Sequence, residues 1–169
     1  MPSPAVGGAE EPRLALCRRF GAEATIDIDS LPDAADRIAA VREAVGGFGA
    51  DVVMDCAGHP TAGPEGVEML RDGGTYVEMG QFTDAGAIET NWHRICTKDV
   101  NVLGSWAFTA NDIPLGIDML DRARDRFPFY EMQTLFPFTE GGIADAIAAA
   151  VEMRSVKSTI VPAPELADA

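Results

Sequence analysis

The sequence predicts an α/β fold built on a mostly parallel, doubly wound sheet, and three observations predict it. Apolar residues switch repeatedly between strand-like runs and helical spacing, and each switch is marked by glycine or proline. The apolar runs are separated by helical stretches of about 10 to 15 residues, the signature of β-α-β units. Such units connect with one hand and cover both faces of a parallel sheet with helices.

In EEPRLALCRRF, Leu14, Cys17 and Phe20 form a helical stripe, and Gly21 stands where a helix closes on a left-handed residue. A strand follows at residues 24–28. Ser30 and Pro32 start a second helix, with Ile38, Val41 and Val45 on one face until Gly46 and Gly47. The stretch DVVMDCAG, residues 51–58, opens as a nearly continuous apolar run, so it is expected to be a central strand buried on both faces.

Residues 64–71 read as a short helix closed by Asp72, Gly73 and Gly74, with a strand at 75–80 behind it. Another strand falls at 100–108, and Ile113, Ile117 and Leu120 mark the next helix. Ile143, Ala146, Ile147, Ala150 and Val151 keep the i, i+3, i+4, i+7, i+8 rule of an amphipathic helix. Lys157 to Val161 is the last strand. The expected organisation is one domain over residues 1–162 and a disordered tail over 163–169, where apolar content is low.

Composition narrows the function classes. Thirteen Lys and Arg against 27 Asp and Glu leave a net charge of −14 on 169 residues, which repels nucleic acid and anionic membranes. No apolar run approaches the roughly 20 residues that span a bilayer, and MPSPAVGGAEEPR has no signal-peptide pattern, so a soluble, cytoplasmic protein is expected. Cys17, Cys56 and Cys96 are odd in number and far apart, and are expected to be reduced thiols.

Several pieces then fall in a familiar order: RLALCRRFGAEATIDI, GADVVMDCAGHP, LRDGGTYVEMGQF, NVLGSW and RSVKSTIVP. Together, from Val6 to Pro162, they resemble the C-terminal, coenzyme-binding part of the zinc-dependent medium-chain alcohol dehydrogenases. The resemblance implies an incomplete Rossmann-like sheet of order 3-2-1-4-5-6 that lacks its first strand. Residues 6–8 would end strand two, and strands three to six would fall at 24–28, 51–56, 75–79 and 102–106. With strand one missing, either strand three or the strand-two remnant is expected to pair directly with strand four, or the first 45 or so residues are expected to be loosely held.

The resemblance also implies the site. Cys56, Ala57, Gly58, Met79, Gly80 and Gln81 would approach a nicotinamide coenzyme at the ends of strands four and five, Ser105 and Trp106 at the end of strand six, and Lys157 would reach a coenzyme phosphate. Sheet-end packing is the structural alternative for the first six, a core or interface anchor for Trp106, and a solvated strand start for Lys157. Gly8 stands where an acidic residue would hold the adenosine ribose of NAD, leaving NAD or NADP open, with Glu10, Glu11 and Arg13 close behind.

The GxGxxG turn that lets a pyrophosphate approach a helix N-terminus does not occur in the 169 residues. Gly47 and Gly49 follow a helix and precede a strand, the wrong context, and Gly58 and Gly63 have P-loop spacing but Pro64 and Glu65 in place of Lys and Ser or Thr. The resemblance places zinc in the full-length family only. No catalytic residue and no metal ligand is therefore assigned.

Cys56, His59, His93 and Cys96 make a C-x2-H…H-x2-C arrangement of ligand types that zinc accepts, but a strand and a loop separate its halves. Asp27, Asp29, Asp33 and Asp36 read as a solvated face and helix-start charges, and Met54, Met69, Met79 and Met119 as core fillers. The expected function is that of a zinc-type alcohol or polyol dehydrogenase fragment, inactive alone, whose family transfers hydride from a small-molecule alcohol to NAD(P). Two alternatives stand beside it: a non-catalytic module forming a homodimer through residues 102–106, and a zinc-free reductase of the same superfamily.

Overall fold

The computed structural model describes residues 5–7 and 11–162. Strand β1 (Ala5–Gly7) leads through α1 (Glu11–Arg19) to β2 (Thr25–Asp27), its parallel neighbour. Helix α2 (Ala34–Ala44) crosses to β3 (Ala50–Asp55), and α3 (Ala62–Met69) connects β3 to β4 (Leu70–Glu78). After α4 (Trp92–Thr97) comes β5 (Asn101–Gly104), then α5 (Asp112–Ala123), a 3-10 turn (Phe129–Met132), β6 (Gln133–Pro137), α6 (Glu140–Val151) and β7 (Lys157–Val161). Gly8, Glu10 and the tail at 163–169 lie outside the described residues.

Every strand pair is parallel, in three sheets: β1-β2, β3-β4-β5 and β6-β7. In the central sheet Met54, Val77 and Leu103 stand side by side, as do Asp55, Glu78 and Gly104. Side chains alternate across a strand, so Val53, Asp55, Tyr76 and Glu78 share one face while Val52, Met54, Val77 and Leu103 share the other.

The first face carries the core. Leu70 and Tyr76 are buried with Val67 of α3, and Val53, Ile95 and Val100 pack around them. A second cluster joins Ile26 of β2, Val41 of α2 and Met69 of α3, again with Val53 against it. Two sheets that share no backbone hydrogen bond are thus held by one layer of helices. Arg37 of α2 reinforces the layer by donating from Nε and Nη2 to Glu65 of α3, both at 2.7 Å.

Among the described residues three helices start on a side-chain cap. Asp33 caps α2 by accepting from Ala35 N at 2.9 Å, Asn91 caps α4 through His93 N at 3.1 Å, and Thr139 caps α6 through Gly142 N at 3.0 Å. Asp27 accepts from Asp29 N and Ser30 Oγ.

Four features differ from the sequence reading. Neither β1 nor β2 pairs with β3; side-chain packing and the Arg37–Glu65 pair attach the N-terminal unit instead. Strand β3 is not buried on both faces, because Val52 and Met54 are 54% and 60% exposed. Of the four methionines read as core fillers only Met69 is buried, since Met54 stands on the open face and Met119 on a helix whose apolar side is exposed. Finally, α4 and β6 were not foreseen, and β7 pairs with β6 rather than with the central sheet. The β6-β7 unit meets α1 through Phe20, which stacks on Phe127 at 5.6 Å, and through Arg13 Nη2, which donates to Ser155 O at 3.1 Å.

Candidate functional site

The carboxyl ends of β3, β4 and β5 form one rim. The ladder carries past the strand ends, with Met79 N donating to Asp55 O at 3.2 Å and Ser105 N to Glu78 O at 2.8 Å. Eight of the nine residues assigned from sequence therefore come together: Cys56, Ala57 and Gly58 after β3, Met79, Gly80 and Gln81 at and after the end of β4, Ser105 and Trp106 after β5. Lys157 does not join them. It is the first residue of β7, exposed and in register with Gln133 in a different sheet.

Glycine makes the rim close-packed. Gly58 has φ +68°, and a Cβ added there would lie 2.5 Å from Gly80 O; one added at Gly80 would lie 2.5 Å from Gly58 N. The two turns touch backbone to backbone, a contact that any side chain would prise apart.

Beneath the turns lies a polar network that the sequence reading missed. The Tyr76 hydroxyl lies 2.8 Å from Asp55 Oδ2 and 3.0 Å from Glu78 Oε2. Asp55 Oδ1 accepts from Ala57 N at 2.7 Å, and Glu78 Oε1 accepts from Gly80 N at 2.9 Å and Gln81 N at 3.2 Å. The period-two spacing of Tyr76 and Glu78 was the available signal, since it puts both on one face; Asp55 joins them only through the β3-β4 register.

Electrostatics follow from burial and these acids. Tyr76 is held well above the usual phenol range, first by burial and then by its bond to Asp55, so it stays a protonated donor. Burial, then the charges of Asp55 and Glu78, raise the Cys56 thiol, which disfavours the thiolate that a nucleophile or zinc ligand requires. The amides of Ala57, Gly80 and Gln81 are all engaged by carboxylates, so these turns offer a phosphate neither those donors nor a favourable charge.

Among the described residues no group of three His, Cys, Asp or Glu side chains is placed to hold a metal ion. The two halves of the C-x2-H…H-x2-C arrangement sit on the turn after β3 and on α4; His59 Nδ1 is 2.8 Å from Thr61 Oγ1, a local turn contact. The residues present do not fit the zinc of the resemblance. A shallow cleft of about 340 Å³ lined by Arg19, Arg124, Arg126 and Phe127 carries positive charge, but Arg19 pairs with Glu131, Arg124 with Asp121, and Arg126 lies over the Phe127 ring.

Phe82 and Trp106 stack at 5.1 Å with rings 9° apart, and each is about 70% exposed. Residues 5–122 match the family described as zinc-binding dehydrogenase. This chain belongs to the zinc-binding dehydrogenase family. It is 34% identical over 161 residues to the erythritol/L-threitol dehydrogenase of Mycolicibacterium smegmatis, covering 89% of this chain and 40% of that one.

Among solved structures it is similar to an alcohol dehydrogenase from Thermotoga maritima, with TM-score 0.82 and 20% identity over 96% of this chain and 44% of the other. It is also similar to a short chain alcohol dehydrogenase from Escherichia coli CFT073 complexed with NADH, with TM-score 0.71 and 21% identity over 93% of this chain and 43% of the other. Both likenesses show the α/β fold. The chain thus spans about two fifths of the length of this relative and of these two solved structures. The family match ends at residue 122, ahead of the β6-β7 unit.

Proposed function

We propose that this chain supplies the nicotinamide-facing rim of a zinc-type alcohol or polyol dehydrogenase and does not oxidise an alcohol by itself. The observation that carries the reading is the tied, glycine-closed rim at the ends of β3, β4 and β5 in a member of the zinc-binding dehydrogenase family. Parallel α/β sheets bind ligands at the carboxyl ends of their strands. The carboxylates of Asp55 and Glu78 beneath the rim favour a cationic nicotinamide ring over a phosphate. The coenzyme is NAD or NADP, and its phosphates need the glycine-rich turn that this sequence does not contain.

In the resemblance the zinc belongs to the full-length family, and zinc chemistry would come from the part of such a protein that the matched stretch does not cover. The apolar row Val52, Met54, Val77 and Leu103 and the exposed Ile113, Ile117 and Leu120 of α5 support a companion that covers them, whether in the same polypeptide or another. The test is to join this chain to the part of the Mycolicibacterium smegmatis relative outside the matched stretch. The fusion should reduce NAD or NADP with a polyol while the chain alone does not; turnover by the chain alone, or by neither, would refute the assignment.

A second reading, a homodimer through β5, is favoured by a specific observation. From Val100 to Asn111 the chain carries no charge, although the protein bears −14, and Val102, Leu103 and Trp106 are exposed along that edge. Edge strands usually carry charges or proline that prevent pairing. Sedimentation at micromolar concentration should show a dimer, and Leu103→Lys should return it to a monomer.

A further inference from the structure

Tyr76 is buried, and its hydroxyl touches acids from both strands of the rim. Asp55 belongs to β3 and holds the turn after β3 by its Oδ1; Glu78 belongs to β4 and holds the turn after β4 by its Oε1. The second oxygen of each carboxylate faces the same phenol oxygen, at 2.8 and 3.0 Å. Without a donor between them the two carboxylates would repel each other across a poorly solvated space. We propose that Tyr76 is a positioning residue: its hydroxyl, sharing its single proton between Asp55 and Glu78, locks the turns at 56–58 and 79–81 into one rigid rim.

Three features agree with this. The turns meet backbone to backbone at Gly58 and Gly80, and a Cβ on Gly80 would lie 2.5 Å from Gly58 N and 2.9 Å from Ala57 N. The ring is fixed from behind, since a Cβ at Gly66 of α3 would lie 2.6 Å from Tyr76 Cε2. The phenol also stays protonated through burial and its acidic neighbours, so the donor persists over the whole working pH range. The clamp rests on the reading that this rim faces the nicotinamide for its use in function, but its mechanics are present without any ligand.

The test therefore uses the unliganded chain. Tyr76→Phe keeps the ring and removes the bridge, so amide exchange at Ala57, Gly80 and Gln81 should quicken together by about tenfold or more, while Val53 and Val77 inside the ladder change by less than about twofold. A side chain that only fills the core would leave all five amides alike, unchanged or uniformly faster, and either result overturns the proposal. Glu78→Gln, whose amide still accepts from Gly80 and Gln81 and still meets the hydroxyl, should keep exchange near that of the unsubstituted chain. Loss of protection at Ala57 in that variant would also count against the bridge.

If Tyr76→Phe does not fold, NMR of the unsubstituted chain decides the matter. The Tyr76 hydroxyl proton should exchange with water at least about tenfold more slowly than that of Tyr130, which is 86% exposed; equal rates overturn the clamp. Failure of the fusion to reduce NAD or NADP would sink the functional reading and leave these exchange results untouched.

Discussion

The two faces of the β3-β4-β5 sheet use the same strands and end in opposite states. On one face Val53 and Tyr76 lie under α3 and α4 with Leu70 completely buried; on the other Val52, Met54 and Leu103 are each more than half exposed. Parallel sheets are ordinarily covered on both sides. The contrast teaches that the apolar pattern encodes a two-sided sheet, while the described residues supply stabilising contacts on one side only.

Truncations across the sheet should expose that asymmetry most strongly. Leu70→Ala removes a side chain with 0% exposure and should cost roughly 2–5 kcal/mol in urea denaturation, whereas Met54→Ala and Leu103→Ala should cost less than about 1 kcal/mol. Equal costs on the two faces would mean that the open face is covered in solution.

The helix layer that joins the N-terminal unit to the sheet gives the next effect. Glu65→Gln weakens the paired bonds from Arg37 and should cost roughly 1.5–3 kcal/mol, with faster exchange in β2 than in β5. Ala in place of Asp33, the cap of α2, should cost about 0.5–2 kcal/mol on the same assay.

The smallest effect is acidic. Glu68 is held below the usual carboxylate range, chiefly by its two bonds from Arg94, with Lys98 and Arg42 adding attraction. A depressed carboxyl contributes stability that is present above its unfolded value, near pH 4.3, and is lost as pH falls through the lower folded value. Urea midpoints of the unsubstituted chain and Glu68→Gln should therefore converge as the medium is acidified below about pH 4; a constant gap would remove this pair from the packed side of the account.

Much of the architecture was legible before the structure. The strand at 51–55, the helix from Ile143 and the strand at Lys157–Val161 all announced themselves through period and breakers. Strand β6 did not, because its residues QTLFP follow an aromatic and charged stretch with no alternation, and α4 has only 6 residues, too few for a periodic stripe. The boundary between α3 and β4 was also hidden. Leu70 belongs to the strand because it pairs with Ala50 across an irregular register, a tertiary fact that no local spacing carries.

The rim was legible as a set of positions but not as a mechanism. Gly58 and Gly80 were placed by resemblance, yet their contact depends on the register of β3 against β4, which also brings Asp55 within reach of Tyr76. Lys157 was assigned by resemblance to a coenzyme phosphate, apart from the rim, and it lies in the β6-β7 sheet.

The central claim is that this chain offers a nicotinamide rim without a resting place for the dinucleotide's phosphates. Titration of the purified chain with NADH and with NADPH, followed by coenzyme fluorescence, tests it directly. The account predicts no saturation below about 1 mM for either. Saturable binding in the micromolar range would contradict it.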